Sequence, residues 1–255
     1  MRALRLTARQ VGYTNKAFWR NPASAFFTFA FPLMFLVIFT SLLGSGTVHL
    51  DGRSIKLSTY YVAAMATFAV ISACYTNIAM TVTFQRDAGI LKRLDGTPLP
   101  SGVYFAARVL HALLIAVLLV IITAAFGRLA YHATVPSGTT LLHSVVMLAV
   151  GAGSFCALGF AITTAIPNAD ASPAIVNATI LPLLFLSGIF IPLGSNAPGW
   201  ILWIARIFPV RHFALGLQSG FLGTSFDWVD VLIVAAWGAF GLAVAIKRFS
   251  WEPRT

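Results

Sequence analysis

Apolar residues run along this chain in long blocks rather than in the alternation of strands. Stretches at about 24–43, 59–83, 103–126, 140–166, 173–192 and 229–246 are almost free of charge. Blocks near ~20 residues are the length at which a helix, rising ~1.5 Å per residue, crosses ~30 Å of hydrocarbon. Helices are expected because each segment must satisfy its own backbone polar groups, and the short alternating segments of a barrel are absent. The pattern predicts an all-α integral membrane protein: six spans in one domain over residues 23–255, preceded by a separate basic segment, 1–22.

Composition agrees. The chain is 58% hydrophobic and 9% charged over 255 residues, where a soluble domain carries about 25% charged residues. Basic residues outnumber acidic ones 17 to 7, but a nucleic-acid partner would need a basic patch on a soluble module. Here the basic residues flank apolar runs, and no nucleic acid is expected. With the N-terminus inside, Arg2, Arg5, Arg9, Lys16, Arg20, Arg86, Lys92, Arg93, Arg108, Lys247, Arg248 and Arg254 are inner. Only Arg53, Lys56, Arg128, Arg206 and Arg211 are then outer, so the positive-inside rule places both termini in the cytoplasm. Thirteen arginines against four lysines point to a bacterial plasma membrane from a high-GC genome.

The first 22 residues lack the small-residue cleavage pattern of a signal peptide, and the apolar run after them is too long for one. On a helical wheel Arg2, Arg5, Arg9, Lys16 and Arg20 share a sector about 60° wide, with Leu4, Ala8, Val11 and Phe18 on the other side. That pattern predicts an amphipathic interfacial helix with its basic face toward anionic lipid. A basic tail that only sets topology is the alternative.

One densely charged stretch interrupts the interior: FQRDAGILKRLDGTPLPSG, residues 84–102. On a helix Phe84, Ala88, Leu91 and Leu94 form an apolar stripe, with Arg86 and Arg93 opposite. Gly96 and Pro98 are stop signals. The reading is a short amphipathic helix over about 84–95 that shows its charges to the cytoplasm. A solvated topology-setting loop is the alternative.

These residues resemble a known family. Gln85-Arg86-Asp87-Ala88-Gly89-Ile90-Leu91-Lys92-Arg93-Leu94, then Gly96-Thr97-Pro98, is similar to the cytoplasmic segment after the second span of ABC-2 exporter permeases. Leu186-Ser187-Gly188-Ile189-Phe190-Ile191-Pro192, with Pro198, Trp200, Ile204, Phe208 and Pro209, resembles a later region of the same family. Two residues depart from its pattern: Gln85 stands where an acid is common, and Phe208 where Asn is common. The resemblance implies one permease of a pair, homodimeric or heterodimeric, each passing force through its coupling helix from a separate ATPase subunit pair. ATP and Mg would then sit on that partner, with no cofactor bound by this chain. Coupling contacts would fall among Gln85, Arg86, Asp87, Gly89, Leu91, Lys92, Arg93 and Leu94.

An external engine also follows from the residues. A phosphate-binding P-loop needs G-x-x-x-x-G-K-[ST], and the four lysines follow Asn15, Ile55, Leu91 and Ile246. The alternative is a gradient-driven secondary transporter or channel. Such carriers place ionisable residues near the midplane, yet all seven acids fall in loops or at span ends, and only His111 and His143 lie farther in. An intramembrane enzyme finds no support: H-E-x-x-H, metal-ligand spacing and G-x-S-x-G are all absent. Gly151-Ala152-Gly153-Ser154 suits close helix packing instead, and Cys74 and Cys156, inside spans, act as small hydrophobes.

After the fifth span, 199–208 and 212–222 are each too short to cross, and Pro209 divides them. A re-entrant helix-turn-helix at about 197–226 is expected, anchored by Trp200 and Trp203 at the interface. An outer loop with surface helices is the alternative. Pro182 should bend the fifth span. Asn77, Asn177 and Ser187 are polar groups that either line a path or bond between helices. The resemblance places a pathway or outer gate at Asn77, Asn177, Pro182, Ser187, Gly188, Phe190, Pro192, Trp200, Phe208 and Pro209. So sparse a charge suits an amphipathic or hydrophobic cargo, such as a drug, an antibiotic or a lipid-like molecule, moved outward.

Overall fold

Helix ends fall where glycine, proline and charge cut the apolar blocks. The computed structural model describes residues 2–43, 46–50, 53–193 and 198–253. Arg254, used in the reading above, lies outside the described residues, as do the side chain of Arg2, position 51 among the acids and position 197 at the start of the expected re-entrant element. In order come α1 (Arg2–Trp19), α2 (Pro22–Leu43), a hairpin of β1 (Thr47–Leu50) and β2 (Arg53–Lys56), and α3 (Leu57–Ile71). A π-helical turn (Ser72–Thr76) joins α3 to α4 (Asn77–Asp87), followed by α5 (Ile90–Asp95) and α6 (Ser101–Tyr131). The rest is α7 (Thr139–Thr163), α8 (Ser172–Leu186), α9 (Gly199–Ile207), α10 (Pro209–Leu222) and α11 (Trp228–Arg248).

Five segments are long and apolar enough to cross a membrane: Pro22–Leu43, Leu57–Asp87, Ser101–Tyr131, Thr139–Thr163 and Trp228–Arg248. They match five of the six expected spans, and the protein is membrane-embedded and helical. Leu57–Asp87 is the most buried of them and forms the axis that α2, α6, α7 and α10 surround. Its side chains from Tyr60 to Ile71 lie almost wholly inside the protein.

The predicted fifth span needs correction. Its helix, α8, stops at Leu186 after 15 residues, about 22 Å at ~1.5 Å per residue and short of the ~30 Å hydrocarbon. Gly188, at φ 86, occupies the left-handed region that glycine reaches without steric cost. The apolar run beyond it is non-helical, with Ile189 and Phe190 in the core and Ile191 exposed. Apolarity there reflects packing, not helix.

Small residues set the closest approaches. A Cβ on Gly238 or Gly241 of α11 would strike Ser154 and the backbone of Ala157 and Leu158 on α7. Gly151 of α7 faces the Phe213 ring of α10, whereas Gly153 faces open space. Of the expected small-residue run, Gly151 and Ser154 therefore make the contact. Gly159 rests on the carbonyls of Cys74 and Tyr75 in the π-helical turn. Both cysteines are buried and free.

Candidate functional site

Three consecutive residues at the end of α4 reach three different elements. Gln85 Oε1 accepts from the Tyr104 hydroxyl at 3.2 Å and from Arg108 Nη2, both on α6. Arg86 turns the other way and is buried to 2% exposure. Its Nη1 donates to Thr163 O at 2.9 Å, and its Nη2 to Ile166 O at 2.8 Å and Pro167 O at 3.1 Å. Those carbonyls close the C-terminal end of α7, where a cation is favoured by the helix dipole and the unpaired carbonyls. Asp87 Oδ2 accepts the Ala169 N–H in the α7–α8 turn, while its Oδ1 lies 3.5 Å from Arg86 Nε. One short stretch thus ties α4 to α6, α7 and the turn before α8.

The expected single helix over 84–95 breaks. Ala88 and Gly89 form a turn with Gly89 at φ 68, and α5 starts afresh at Ile90. The wheel drawn through that turn misplaced residues on each face: Phe84 and Ala88 of the apolar stripe are exposed, and Arg86 of the charged side is buried, whereas Leu91 and Arg93 lie as expected. Arg86 is a packing residue here, not an exposed contact, so its charge reversal would test folding and not docking. Leu91 is buried, while Lys92, Arg93 and Asp95 of α5 are exposed. Arg93 Nη2 and Nε reach back to Ala88 O and Gly89 O at 3.3 Å, and Lys92 Nζ meets Glu252 at 3.1 Å. Phe249 and Trp251 of the same C-terminal segment pack on Phe105, which holds the chain end beside α5.

α1 lies along α6 and α2. Arg5, Arg9, Lys16 and Arg20 are exposed, and Leu6, Gln10, Val11, Thr14 and Phe18 face the protein. The protein-facing strip differs from the expected apolar side, because Leu4 and Ala8 remain exposed. Together α1, α4, α5 and α6 enclose a polar cavity of about 320 Å³.

Asn77 and Asn177 both line a second recess of about 330 Å³ between α2, α4 and α8, beside Phe31 and Phe68. Pro182 and Leu181 are exposed on α8. At the far end of the bundle Ser187, Gly188 and Phe190 are buried, and the Tyr60 hydroxyl donates to Gly188 O. Phe190 joins an aromatic cluster with Phe35, Phe39 and Phe68 at centroid separations of 5.6 to 6.2 Å. Pro192 is half-buried.

α9 and α10 meet at 90° across Phe208, and α10 begins at Pro209, where the fixed φ of proline suits a first helical turn. Trp200 and Trp203 are exposed on α9, but α10 is buried against α3, α7 and α11. Phe208 stacks on Trp237 at 5.8 Å, whose Nε1 donates to Ile207 O at 2.9 Å. His212 Nδ1 lies 2.6 Å from Asp230 Oδ1, and its Nε2 lies 2.8 Å from Arg206 O. Both are acceptors, so both ring nitrogens donate only as imidazolium. Pro209 and Phe208 therefore sit at a built corner, apart from the Asn77–Asn177 recess.

Among the described residues no group of three or more His, Cys, Asp or Glu can hold a metal ion. Sequence reading missed Tyr104, Arg108 and Glu252 as partners of the charged stretch. Arg108 carried a readable signal, a lone arginine two turns into an apolar span. The π-helical turn, whose Tyr75 hydroxyl hydrogen-bonds Thr179 on α8 at 2.8 Å, carried none.

Residues 10–222 match the ABC-2 type transporter family. Over 218 residues the chain is 23% identical to a Bacillus subtilis (strain 168) protein named "Putative transport permease YvfS", a match spanning 86% of each chain.

Proposed function

The chain belongs to the ABC-2 type transporter family, and from that premise we propose that it is the permease of an ABC exporter. In this reading it pairs with a second permease and moves an amphipathic or hydrophobic molecule outward, while a separate ATPase pair hydrolyses ATP. Both termini and α5 face the cytoplasm. The observation that carries the reading is the junction at Gln85, Arg86 and Asp87. A push on the exposed face of α5 acts on α4, and α4 is bonded to α6, α7 and the α7–α8 turn. Packed elements with discrete arrangements carry such a displacement further than a loop can. The α9–α10 corner lies at the opposite end, where we place the outer gate. The recess at Asn77 and Asn177 borders the pathway.

The double variant Lys92→Glu/Arg93→Glu tests the coupling role. Both side chains are exposed, and their surface pairs contribute little to folding, so the chain should reach the membrane at its normal level. Substrate-stimulated ATP hydrolysis should fall at least about tenfold, the factor equivalent to ~1.4 kcal/mol of lost coupling. Unchanged stimulation would make α5 a passive loop. Orientation has its own check: Gly199→Cys, at an exposed position, should react with an impermeant thiol reagent added outside intact cells. Labelling only in inverted vesicles would reverse the topology.

A further inference from the structure

The polar cavity between α1, α4, α5 and α6 has a composition that packing alone does not require. It holds about 320 Å³, room for roughly ten waters at ~30 Å³ each. Its lining includes Gln10, Asn21, Asn77, Gln85, Arg108 and His111, and no carboxylate is among the lining residues. The single charged side chain there is Arg108. Its guanidinium donates to the neutral Gln85 amide oxygen and lies 5.4 Å over the Tyr104 ring, so neither partner cancels its charge.

His111 supplies an independent sign of a ligand. It is 7% exposed, lines this cavity, and its buried Nε2 has no hydrogen-bond partner among the described residues. A buried polar atom left unpaired is unfavourable, and a turn of the ring that brings Nε2 from the wall into the cavity would let a bound donor or acceptor pair it. Asn21 Oδ1 accepts the Ser24 N–H at 3.2 Å, which leaves its amide group free to donate.

The surroundings fit a molecule with one anionic end. Ser24 and Asn77 line both this cavity and the adjoining recess of about 330 Å³. That recess is largely apolar, walled by Phe27, Phe31, Phe68 and Met80. The Arg108 chamber therefore adjoins an apolar one, with Ser24 and Asn77 at their common wall. The exposed Arg9, Lys16 and Arg20 lie on the same helix, α1, that walls the polar chamber, and clustered basic residues concentrate anionic lipid.

We propose that this cavity binds a phosphate group, held by Arg108 and His111, carried by an amphiphile whose chain enters the adjoining recess. Leu91 and Leu94 of α5 wall the same cavity, so occupancy bears directly on the position of that helix. The assignment stands on the cavity and not on the exporter reading, and its test needs no ATPase.

The test is native mass spectrometry of the purified full-length chain in detergent, titrated with phosphatidic acid or phosphatidylcholine. One phosphatidic acid should be retained per chain, in preference to phosphatidylcholine. Arg108→Gln should weaken retention at least about tenfold, as expected for the loss of a charge-assisted contact. If that variant fails to fold, Gln85→Glu serves in its place, because a carboxylate beside Arg108 neutralises it without emptying the site. The double variant Lys247→Gln/Arg248→Gln should leave retention within about twofold, since its charges are exposed on α11 and do not line the cavity. Added inorganic phosphate separates the sources: displacement of the lipid assigns the site to phosphate itself, and persistence assigns it to a lipid headgroup. Equal retention of both lipids, or retention unchanged in Arg108→Gln and Gln85→Glu, would overturn the proposal.

Discussion

Arg86→Ala is expected to lower the thermal stability of the detergent-solubilised chain by roughly 10 °C, while Arg93→Ala leaves it almost unchanged. The two arginines stand seven positions apart in one charged stretch, but their surroundings differ. Arg86 is buried, and its guanidinium serves the carbonyls of Thr163, Ile166 and Pro167. Alanine would leave three carbonyls without this donor and Asp87 without its adjacent cation. Hydrogen bonds to a charged group contribute about 1.5–3 kcal/mol each, and breaking a buried charge pair costs about 3–5 kcal/mol. A net loss on the order of 3 kcal/mol is a conservative reading of those figures. Arg86→Lys should fall between, because one ammonium cannot match a planar fork that reaches three carbonyls. Arg93 bonds only within its own turn and is exposed. A melt in which Arg86→Ala and Arg93→Ala behave alike would contradict the junction.

Gly159→Val should cost the chain much of its folded yield, whereas Gly153→Val should be tolerated. A Cβ at position 159 would lie 2.9 Å from Tyr75 O and 3.2 Å from Cys74 O, both backbone atoms that no rotamer can move. Relief would require α7 to separate from the π-helical turn and would disturb the hydrogen bond from Tyr75 to Thr179. Overpacking of this kind costs about 1–3 kcal/mol, and more where the clash is with backbone. At Gly153 nothing lies within 4 Å of the added carbon. The monodisperse fraction in size-exclusion chromatography of fluorescently tagged chains separates the two. Equal yields would mean that α7 does not rest on the turn as described.

What could be read without coordinates followed from length and apolarity. Five of the six spans, the Pro209 break and the placing of charge at helix ends all have sequence signals that survive tertiary packing. The misreadings share a cause. Periodicity assumes an unbroken helix, and Gly89, in the left-handed region, resets the phase between Phe84 and Leu91. Charge was taken to mean water, but the acceptors that bury Arg86 lie 77 to 81 residues later in the chain. Ile189 and Phe190 looked like more of the fifth helix because apolarity does not distinguish a buried irregular backbone from a span. The hairpin β1–β2 and the π-helical turn are too short for any pattern to show.

Gln85 puts a neutral group at the centre of the junction between α4 and α6. Its amide oxygen accepts from Arg108 and from the Tyr104 hydroxyl. Because that partner is uncharged, Arg108 keeps its positive charge at the cavity wall.

The central claim is that a separate ATPase drives this chain through the exposed face of α5. The most direct measurement is affinity capture of the tagged chain from native membranes in mild detergent, with co-purifying subunits identified and counted by mass. The account predicts an ABC ATPase in stoichiometric amount, together with the second permease if that is a different chain. It also predicts that Lys92→Glu/Arg93→Glu loses the ATPase while keeping its permease partner. A folded chain that returns only copies of itself, with no ATPase bound, would contradict the claim.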